Sequence, residues 1–318
     1  MPKELVSLLG IELPVVQAPI GSAATPELAA AVSNAGGLGM LSISWSSPAQ
    51  ISRLIHATRN LTARPFGVNL VLEWDQHERL RTALNEGVRI ISTFWGNPAG
   101  YAQAVRAADG LLLHTVGSLA DAAGAVAAGV DVIVAQGMEA GGHVCGETPL
   151  TQLLAEITAV FPAMPLMGAG GIADARDVER VRKAGASAAW LGTRFVCSTE
   201  ANAAEIYQQK IIAAQARDTT MTTVFSRGWP DAPHRVLHNS TLQTAAAGSD
   251  GDAAASPSPD IVAHSKRGLP IERYAFALPT KDMTGDLEAM ALYAGHSVER
   301  IHDIRPAAEL VRSLAGVL

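Results

Sequence analysis

Short apolar segments alternate with longer, alanine-rich amphipathic segments along the chain up to residue 217. The short segments are rich in Val, Ile and Leu, as expected of strands buried on both faces of a parallel sheet. Thr25-Pro26-Glu27 has the cap, first-turn proline and acidic residue that begin a helix. The predicted strands are Leu13–Ile20, Leu38–Ile43, Phe66–Leu70, Val88–Thr93, Leu111–Thr115, Val132–Gln136, Leu166–Gly168 and Ala188–Gly192. Eight such units close a (β/α)8 TIM barrel, which is the predicted fold.

The βα rhythm stops after residue 217, and this divides the predicted chain into two parts. Residues 1–217 form the predicted barrel. Residues 218–318 are predicted to form an α-rich cap that covers one face of the barrel and shapes a pocket. Small and polar residues at 245–259 predict a flexible surface loop within the cap. The amphipathic segment Pro306–Val317 predicts a final helix that packs back on the barrel.

The composition argues against several classes of partner. A formal net charge of -6, with no run of Lys or Arg, argues against nucleic-acid binding. Every apolar stretch is shorter than the roughly 20 residues that span a bilayer, so no membrane partner is expected. The first residues lack the apolar core of a secretory signal, and the two cysteines, Cys145 and Cys197, cannot make a disulfide framework. We therefore expect a cytoplasmic protein with both thiols reduced.

Two glycine-containing loops follow the last two predicted strands, Gly168–Asp174 after the seventh and Leu191–Phe195 after the eighth. In (β/α)8 barrels, phosphate sites are built from the loops after these two strands. Glycine N–H groups and a helix N-terminus there point at the anion. Gly-Gly before a helix also serves as ordinary turn chemistry. Because both loops occur together at these strand ends, they predict a bound phosphate.

The segment Gln136–Gly146 follows the sixth predicted strand and contains Gly141, Gly142 and His143. Adjacent glycines permit close approach of a ligand to the backbone. An imidazole titrates near neutral pH, as an acid, base or hydrogen-bond donor requires. A lone histidine is often structural, but the glycines and the strand-end position favour His143 as a catalytic residue.

Other chemistries have less support at the predicted strand ends. Glu139 is either a catalytic carboxylate or a cap for neighbouring backbone amides, with the cap favoured, and Cys145 is interpreted as a semi-buried thiol. The lysines all miss the strand ends, which argues against a Schiff-base aldolase. No HxH or HExxH spacing occurs among the histidines, so no metal site is predicted. Asn69 ends the third strand with an amide that can donate and accept hydrogen bonds.

Several motifs together resemble the nitronate monooxygenase family, formerly called 2-nitropropane dioxygenases. These are FMN-dependent barrel enzymes related to the flavin-containing enoyl-ACP reductases. The motifs are QAPIG at Gln17–Gly21, NAGGLGML at Asn34–Leu41, GVNL at Gly67–Leu70, GVDVIVAQGMEAGGHVCG at Gly129–Gly146, GAGGIAD at Gly168–Asp174 and LGTRF at Leu191–Phe195. The resemblance covers nearly the whole chain, and the EAGGH element in register with both glycine loops is specific to this group.

The resemblance implies an FMN site along the predicted strand ends. The phosphate would lie at the two glycine loops, and Asn69 and Gln136 would hydrogen-bond to the polar edge of the isoalloxazine ring. The implied cofactor-binding residues are Ala18, Pro19, Ile20, Asn69, Thr115, Gln136, Gly141, Gly142, Ala169, Gly170, Gly171, Gly192 and Thr193. His143 matches the family's active-site histidine near the reactive edge of the flavin.

The reaction implied by the resemblance is oxidation of an alkyl nitronate by O2, through the flavin, to a carbonyl compound and nitrite. His143 would donate a hydrogen bond to the anionic nitro group or, if neutral, remove the α-proton of a nitroalkane. The expected partners are this small-molecule substrate and O2, with a homodimer left open.

Several alternatives stay open at the level of the sequence. An NAD(P)H-dependent flavin reductase of the enoyl-ACP or quinone type would use the same flavin site. A flavin-binding regulator without turnover is a further alternative, and a flavin-free sugar-phosphate isomerase would explain only the phosphate loops. His296 stands where the family's closing AGQ element commonly has Gln, and Ile20 replaces a frequent Met. These departures affect the substrate assignment more than flavin binding.

Overall fold

Eight parallel strands with intervening helices form the body of the protein, in a computed structural model that describes residues 2–247 and 260–317. Up to residue 191 the strands are β1 Val15–Gln17, β2 Gly39–Ser42, β3 Phe66–Val71, β4 Ile90–Phe94, β5 Leu111–Val116, β6 Val132–Gln136, β7 Gly142–His143, β8 Leu166–Ala169 and β9 Ala188–Leu191. All of these except β7 belong to the large sheet.

The large sheet closes into a barrel. Its strands pair in parallel in the order β1-β9-β8-β6-β5-β4-β3-β2. The ring closes between β1 and β2, where the Leu38 N–H donates to Val15 O at 3.0 Å and the Gln17 N–H donates to Leu38 O at 2.9 Å. Each of the eight predicted strands overlaps one of these strands, and the predicted (β/α)8 barrel is confirmed.

Helices follow most of the barrel strands. They are α1 Pro2–Leu8, α2 Pro26–Asn34, α3 Pro48–Leu61, α4 His77–Asn85, α5 Ala99–Ala107, α6 Leu119–Ala127, α7 Leu150–Val160, α8 Ala175–Lys183, α9 Thr193–Val196 and α10 Glu205–Ala213. The predicted start of α2 is observed, because the Thr25 hydroxyl accepts a hydrogen bond from the Leu28 N–H at 2.9 Å and Pro26 is the first helical residue.

Two large buried clusters hold the barrel together. One collects strand residues from around the ring, including Met40, Leu113 and Met167, together with Leu5 and Leu9 from the region of α1. Side chains of a closed barrel alternate between inside and outside, so this cluster fills the interior and α1 covers its amino-terminal end. The second cluster lies between the strands and the outer helices.

The cap is less helical than the predicted α-rich one. Within residues 218–247 and 260–317 its strands and α-helices are β10 Thr219–Thr222, α11 Ser240–Ala247, β11 His234–Leu237, β12 Ile261–His264, β13 Pro270–Glu272, β14 Thr284–Gly285 and α12 Ala307–Leu314. Strands form here because Thr and Ile favour extended backbone, and short antiparallel neighbours satisfy the backbone hydrogen bonds. The sequence lacks the strong alternation that would have revealed them.

Strand β11 and helix α12 are two of the elements through which the cap contacts the barrel. Strand β11 pairs antiparallel with both β10 and β7, so the cap adds strands to the loop that follows β6. Helix α12 packs against α2, and Leu310 and Val311 are buried in the outer cluster. Residues 248–259 of the predicted loop 245–259 lie outside the part of the chain that the structure describes. None of the described helices is long and apolar enough to cross a membrane.

Candidate active site

A cavity of about 420 Å³ lies at the carboxyl ends of the barrel strands. Its lining includes every residue that the sequence assigns to cofactor binding or catalysis: Ala18, Pro19, Ile20, Asn69, Thr115, Gln136, Gly141, Gly142, His143, Ala169, Gly170, Gly171, Gly192 and Thr193. The structure therefore brings residues from six separate strand ends together around one cavity.

The loops after β8 and β9 present backbone to one side of this cavity. Gly170 and Gly171 have φ angles of +117° and +65°, in the region that favours glycine. No backbone carbonyl of the described residues accepts a hydrogen bond from the Gly171 N–H. Gly192 is the N-cap of α9, whose first residue is Thr193. Free glycine N–H groups beside a helix start fit an anion such as a phosphate.

The hydroxyl of Thr193 is used within the chain. Its Oγ1 accepts a hydrogen bond from the Gly295 N–H at 3.1 Å. This contact ties the cap to the loop after β9. Thr193 can still offer a ligand its backbone N–H and its hydroxyl proton, because this contact uses only an acceptor site of the hydroxyl.

Asn69 is oriented by a neighbouring strand. It is buried, and its Oδ1 accepts a hydrogen bond from the Ser92 hydroxyl at 2.7 Å. Because the acceptor end of the amide is occupied, the Nδ2 donor is the end available to the cavity. This geometry suits a ligand edge that carries an acceptor atom.

Gln136 lines the cavity and hydrogen-bonds the loop that follows its own strand. Its Nε2 donates to His143 O at 3.0 Å, and its Oε1 accepts from the Cys145 N–H at 3.3 Å. Both ends of the amide are thus engaged by the loop after β6. Gln136 holds the backbone beside His143 in place, and the pairing of a strand-end amide with its own following loop left no signal in the sequence.

The two glycines before His143 have different tasks. A Cβ on Gly141 would overlap the backbone of Ala294 and Gly295 in the cap. Gly142 has a φ of +77°, and a Cβ there would meet no atom within 4 Å. Gly141 therefore allows the cap to approach the loop, whereas Gly142 is the glycine that leaves open space at the cavity.

His143 is held by the cap. Its strand β7 pairs with β11, which sets His143 opposite His234. Its imidazole stacks on the indole of Trp229 with ring centroids 3.9 Å apart and an interplanar angle of 20°. Its Nε2 is buried and has no hydrogen-bond partner among the described residues. A buried ring nitrogen without a partner, in a residue that lines a cavity, is a candidate ligand contact.

The surroundings of His143 keep the ring neutral. Burial, with a smaller contribution from the neighbouring His234, lowers the pKa of His143 to about 3. His234 is itself held as a neutral ring, because its Nε2 accepts from the Phe225 N–H at 3.3 Å while its Nδ1 lies 2.9 Å from Ala232 O. The imidazole of His143 therefore offers a hydrogen bond without a positive charge.

Two neighbours of His143 have structural tasks. The Glu139 carboxylate accepts from the Leu150 N–H at 3.0 Å at the start of α7, which confirms the interpretation of this residue as a cap. Burial is the main factor that raises the pKa of the Cys145 thiol to about 12. The thiol is therefore protonated at neutral pH, which argues against a nucleophile.

An aromatic wall is the main feature of the cavity that sequence reasoning missed. Trp45, Phe94, Trp229 and Phe276 all line the cavity. Trp45 and Phe94 lie at or just beyond the ends of β2 and β4, so the strand-end argument used for the other residues could have found these two. Trp229 and Phe276 come from the cap, where no such argument applies.

Metal chemistry receives no support from the described residues. They contain no group of three or more His, Cys, Asp or Glu side chains that could hold a metal ion. The chemically distinctive features of this cavity are the glycine loops, the Asn69 amide and the neutral imidazole.

The sequence and structure are similar to those of known enzymes. The family model described as nitronate monooxygenase matches residues 3–81 and 74–316. A nitronate monooxygenase of Paraburkholderia phytofirmans is 34% identical over 275 residues, which cover 70% of this chain and 74% of that protein.

Two solved structures share the fold over nearly their full length. FabK from Thermotoga maritima superposes with a TM-score of 0.84 at 29% identity, covering 99% of this chain and 95% of that one. A nitroalkane oxidase from Streptomyces ansochromogenes superposes with a TM-score of 0.79 at 28% identity, covering 98% and 97%. With a family match along almost the whole chain and a shared barrel, the protein is an oxidoreductase that belongs to the nitronate monooxygenase family.

Proposed function

We propose that the protein binds FMN and oxidises alkyl nitronates with O2 to carbonyl compounds and nitrite. The observation that carries this proposal is the meeting of two glycine loops and a buried, partnerless imidazole nitrogen at one cavity. The family match supports the same reaction class. The expected partners are the nitronate and O2.

The residues of the cavity fit FMN. The N–H groups around Gly171 and Gly192 would hold the phosphate, and Ala18, Pro19 and Ile20 would support the ring. The Asn69 Nδ2 would donate to an acceptor on the ring edge. Thr115 and Gly142 would contact the ring from the remaining sides. When bound, FMN supplies the redox chemistry by accepting electrons from the substrate and returning them to O2.

The low pKa of His143 favours nitronates over nitroalkanes as substrates. A ring whose conjugate acid has a pKa of about 3 is a weak base, so it is poorly suited to removing the α-proton of a neutral nitroalkane. In the tautomer with the proton on Nε2, the same ring donates a hydrogen bond to an anionic nitro group. Gln136 and Trp229 hold the imidazole in place for this contact.

An anaerobic stopped-flow experiment tests this proposal. The purified flavin-loaded protein is mixed with propyl-2-nitronate in one sample and with NADH in another. We expect the nitronate to bleach the flavin absorbance rapidly while NADH leaves it unchanged. A protein that takes up no FMN on reconstitution would contradict the cofactor assignment.

The same experiment decides the NAD(P)H-dependent alternative. Rapid bleaching by NADH, with none by the nitronate, would make the protein a flavin reductase. A nitroalkane sample at matched concentration serves as the control for the role of His143. A weak base should remove the α-proton slowly, so the neutral nitroalkane should reduce the flavin slowly.

A further inference from the structure

Four of the five tryptophans lie around one end of the cavity. Trp45, Trp74 and Trp95 follow β2, β3 and β4 within three residues of the strand ends. In an eight-stranded ring the third and fourth strands lie opposite the seventh and eighth. The tryptophans therefore face the two glycine loops from across the cavity, at the end away from the proposed phosphate position.

These rings form one continuous surface. Trp45 lies 5.3 Å from Phe276 and 6.3 Å from Trp229, and Trp229 lies 5.4 Å from Trp74, measured between ring centroids. Trp229 also stacks on His143. The aromatic surface thus begins at the proposed reacting end and extends outward to Trp45.

The outer part of this surface is open to solvent. Trp45 is 46% exposed, whereas Trp229 is only 2% exposed. Exposed indole rings leave a large apolar area in water. Covering that area with an apolar ligand lowers the free energy of the complex. No Asp, Glu, Lys or Arg among the described residues lines this cavity. The side of the cavity beyond His143 is therefore suited to an uncharged, flat, apolar group.

We propose that the substrate is an aryl-substituted nitronate, whose ring packs on Trp45, Trp229 and Phe276 while its anionic end contacts His143. This assignment rests on the proposed function. Trp45 is the residue that sets the preference for an aromatic substituent over a small alkyl substituent.

Binding of unreactive anions tests the preference without turnover. A carboxylate has two oxygens on a planar centre, as a nitronate does, so phenylacetate and acetate serve as probes. Calorimetric titration of the flavin-loaded protein should give a Kd for phenylacetate at least about tenfold lower than that for acetate. Equal affinities would overturn the proposal.

Variants of Trp45 assign the effect to this side chain. Trp45→Ala should remove most of the preference for phenylacetate, and Trp45→Phe should retain it. Val160→Ala is the matched control, since Val160 is an exposed apolar residue at the last position of α7, away from the cavity. A preference that survives Trp45→Ala unchanged would overturn the role of Trp45.

The outcomes separate this inference from the proposed function. If phenylacetate binds preferentially but no nitronate bleaches the flavin, the aromatic site stands as an apolar anion site and the nitronate reaction fails, which overturns the substrate assignment. If nitronates react but kcat/KM for the phenylmethyl nitronate equals that for the ethyl nitronate, the reaction stands and the aryl preference is overturned.

Discussion

The imidazole of His143 lies against Trp229 and opposite His234, and neither neighbour carries a negative charge. A histidine that acts as a general base is usually oriented by a carboxylate or carbonyl on its other ring nitrogen. His143 instead lies among aromatic rings, and its burial there penalises the charged form of the imidazole. Desolvation therefore favours the neutral ring, which is the form proposed above to donate a hydrogen bond.

Replacement of His143 tests its role as a donor. His143→Ala should lower kcat/KM for a nitronate by about 10²-fold or more, because one donor to a developing or bound anion is lost. The FMN content should stay unchanged, since the proposed phosphate contacts come from other loops. His238→Ala is the control, because His238 is exposed and does not line the cavity. Unchanged turnover in His143→Ala would make the histidine structural.

Acid should destabilise the protein through its buried histidines. Burial lowers the pKa of His143 to about 3 and that of His114 to about 4, whereas both titrate near 6.5 in the unfolded chain. Between these values the unfolded state binds more protons, so the free energy of unfolding decreases as the pH falls below 6.5. The expected decrease is up to about 1.4 kcal/mol per pH unit for each histidine.

Urea unfolding at pH 7.5, 6 and 5 measures this dependence. His114→Asn should flatten the pH dependence, because it removes one of the histidines with a lowered pKa while an amide can still contact the Thr93 hydroxyl. A free energy of unfolding that stays constant over this range would contradict the assignment of neutral buried rings.

The sequence predicted which residues line the cavity but not their hydrogen bonds. Strand-end position was enough to bring Asn69, Gln136 and Gly171 to one cavity, because a barrel gathers its strand ends on one face. It could not predict that Gln136 hydrogen-bonds the loop after β6. That contact depends on a rotamer and on the path of a loop, and neither is encoded in residue spacing.

Among the elements, the pairing of β7 with β11 links the cap to the loop that carries His143. The barrel strands were predictable because buried parallel strands appear as continuous apolar runs. The cap strands were not, because strands such as Thr219–Thr222 are short and partly polar, and the sheet that contains them is completed by β7, which lies far away in the chain. Local sequence therefore predicts the barrel better than the cap.

A methyl group at Gly141 should separate the cap from the loop. Gly141→Ala would place its Cβ against the backbone of Ala294 and Gly295, which cannot rotate away. We expect a lower Tm and a decrease in kcat/KM for the nitronate. Gly124→Ala is the matched control, since Gly124 lies in α6 with no atom within 4 Å of its Cβ position. That control should stabilise the protein by about 0.5–1 kcal/mol. Equal Tm values for Gly141→Ala and the wild type would show that the contact is not close.

At the scale of the whole molecule, the cap and the barrel share one apolar cluster. Leu292, Val298 and Ile301 of the cap are fully buried in the same cluster as Val15 and Leu28 of the barrel. Neither part can lose its partner without exposing this apolar surface to water. The barrel and the cap are therefore successive parts of the chain on either side of residue 217, and they share this apolar cluster.

The shared cluster predicts a single unfolding transition. Near-ultraviolet circular dichroism, which detects the packed tryptophans of the cavity, and far-ultraviolet circular dichroism, which detects the barrel, should give the same urea midpoint. Two separated midpoints would show that the cap unfolds first. A homodimer and a cytoplasmic location stay predictions from the sequence, and light scattering measures the former.

The concentration of tryptophan around the cavity also gives the protein an optical property. Indole emission overlaps the near-ultraviolet absorption of flavins, and most of the emitting groups lie around the cavity proposed to hold one. Cofactor uptake should therefore quench most of the intrinsic fluorescence by energy transfer. A ligand that covers Trp45 should shift the remaining emission to shorter wavelength, so that occupancy of both parts of the cavity can be followed without a label.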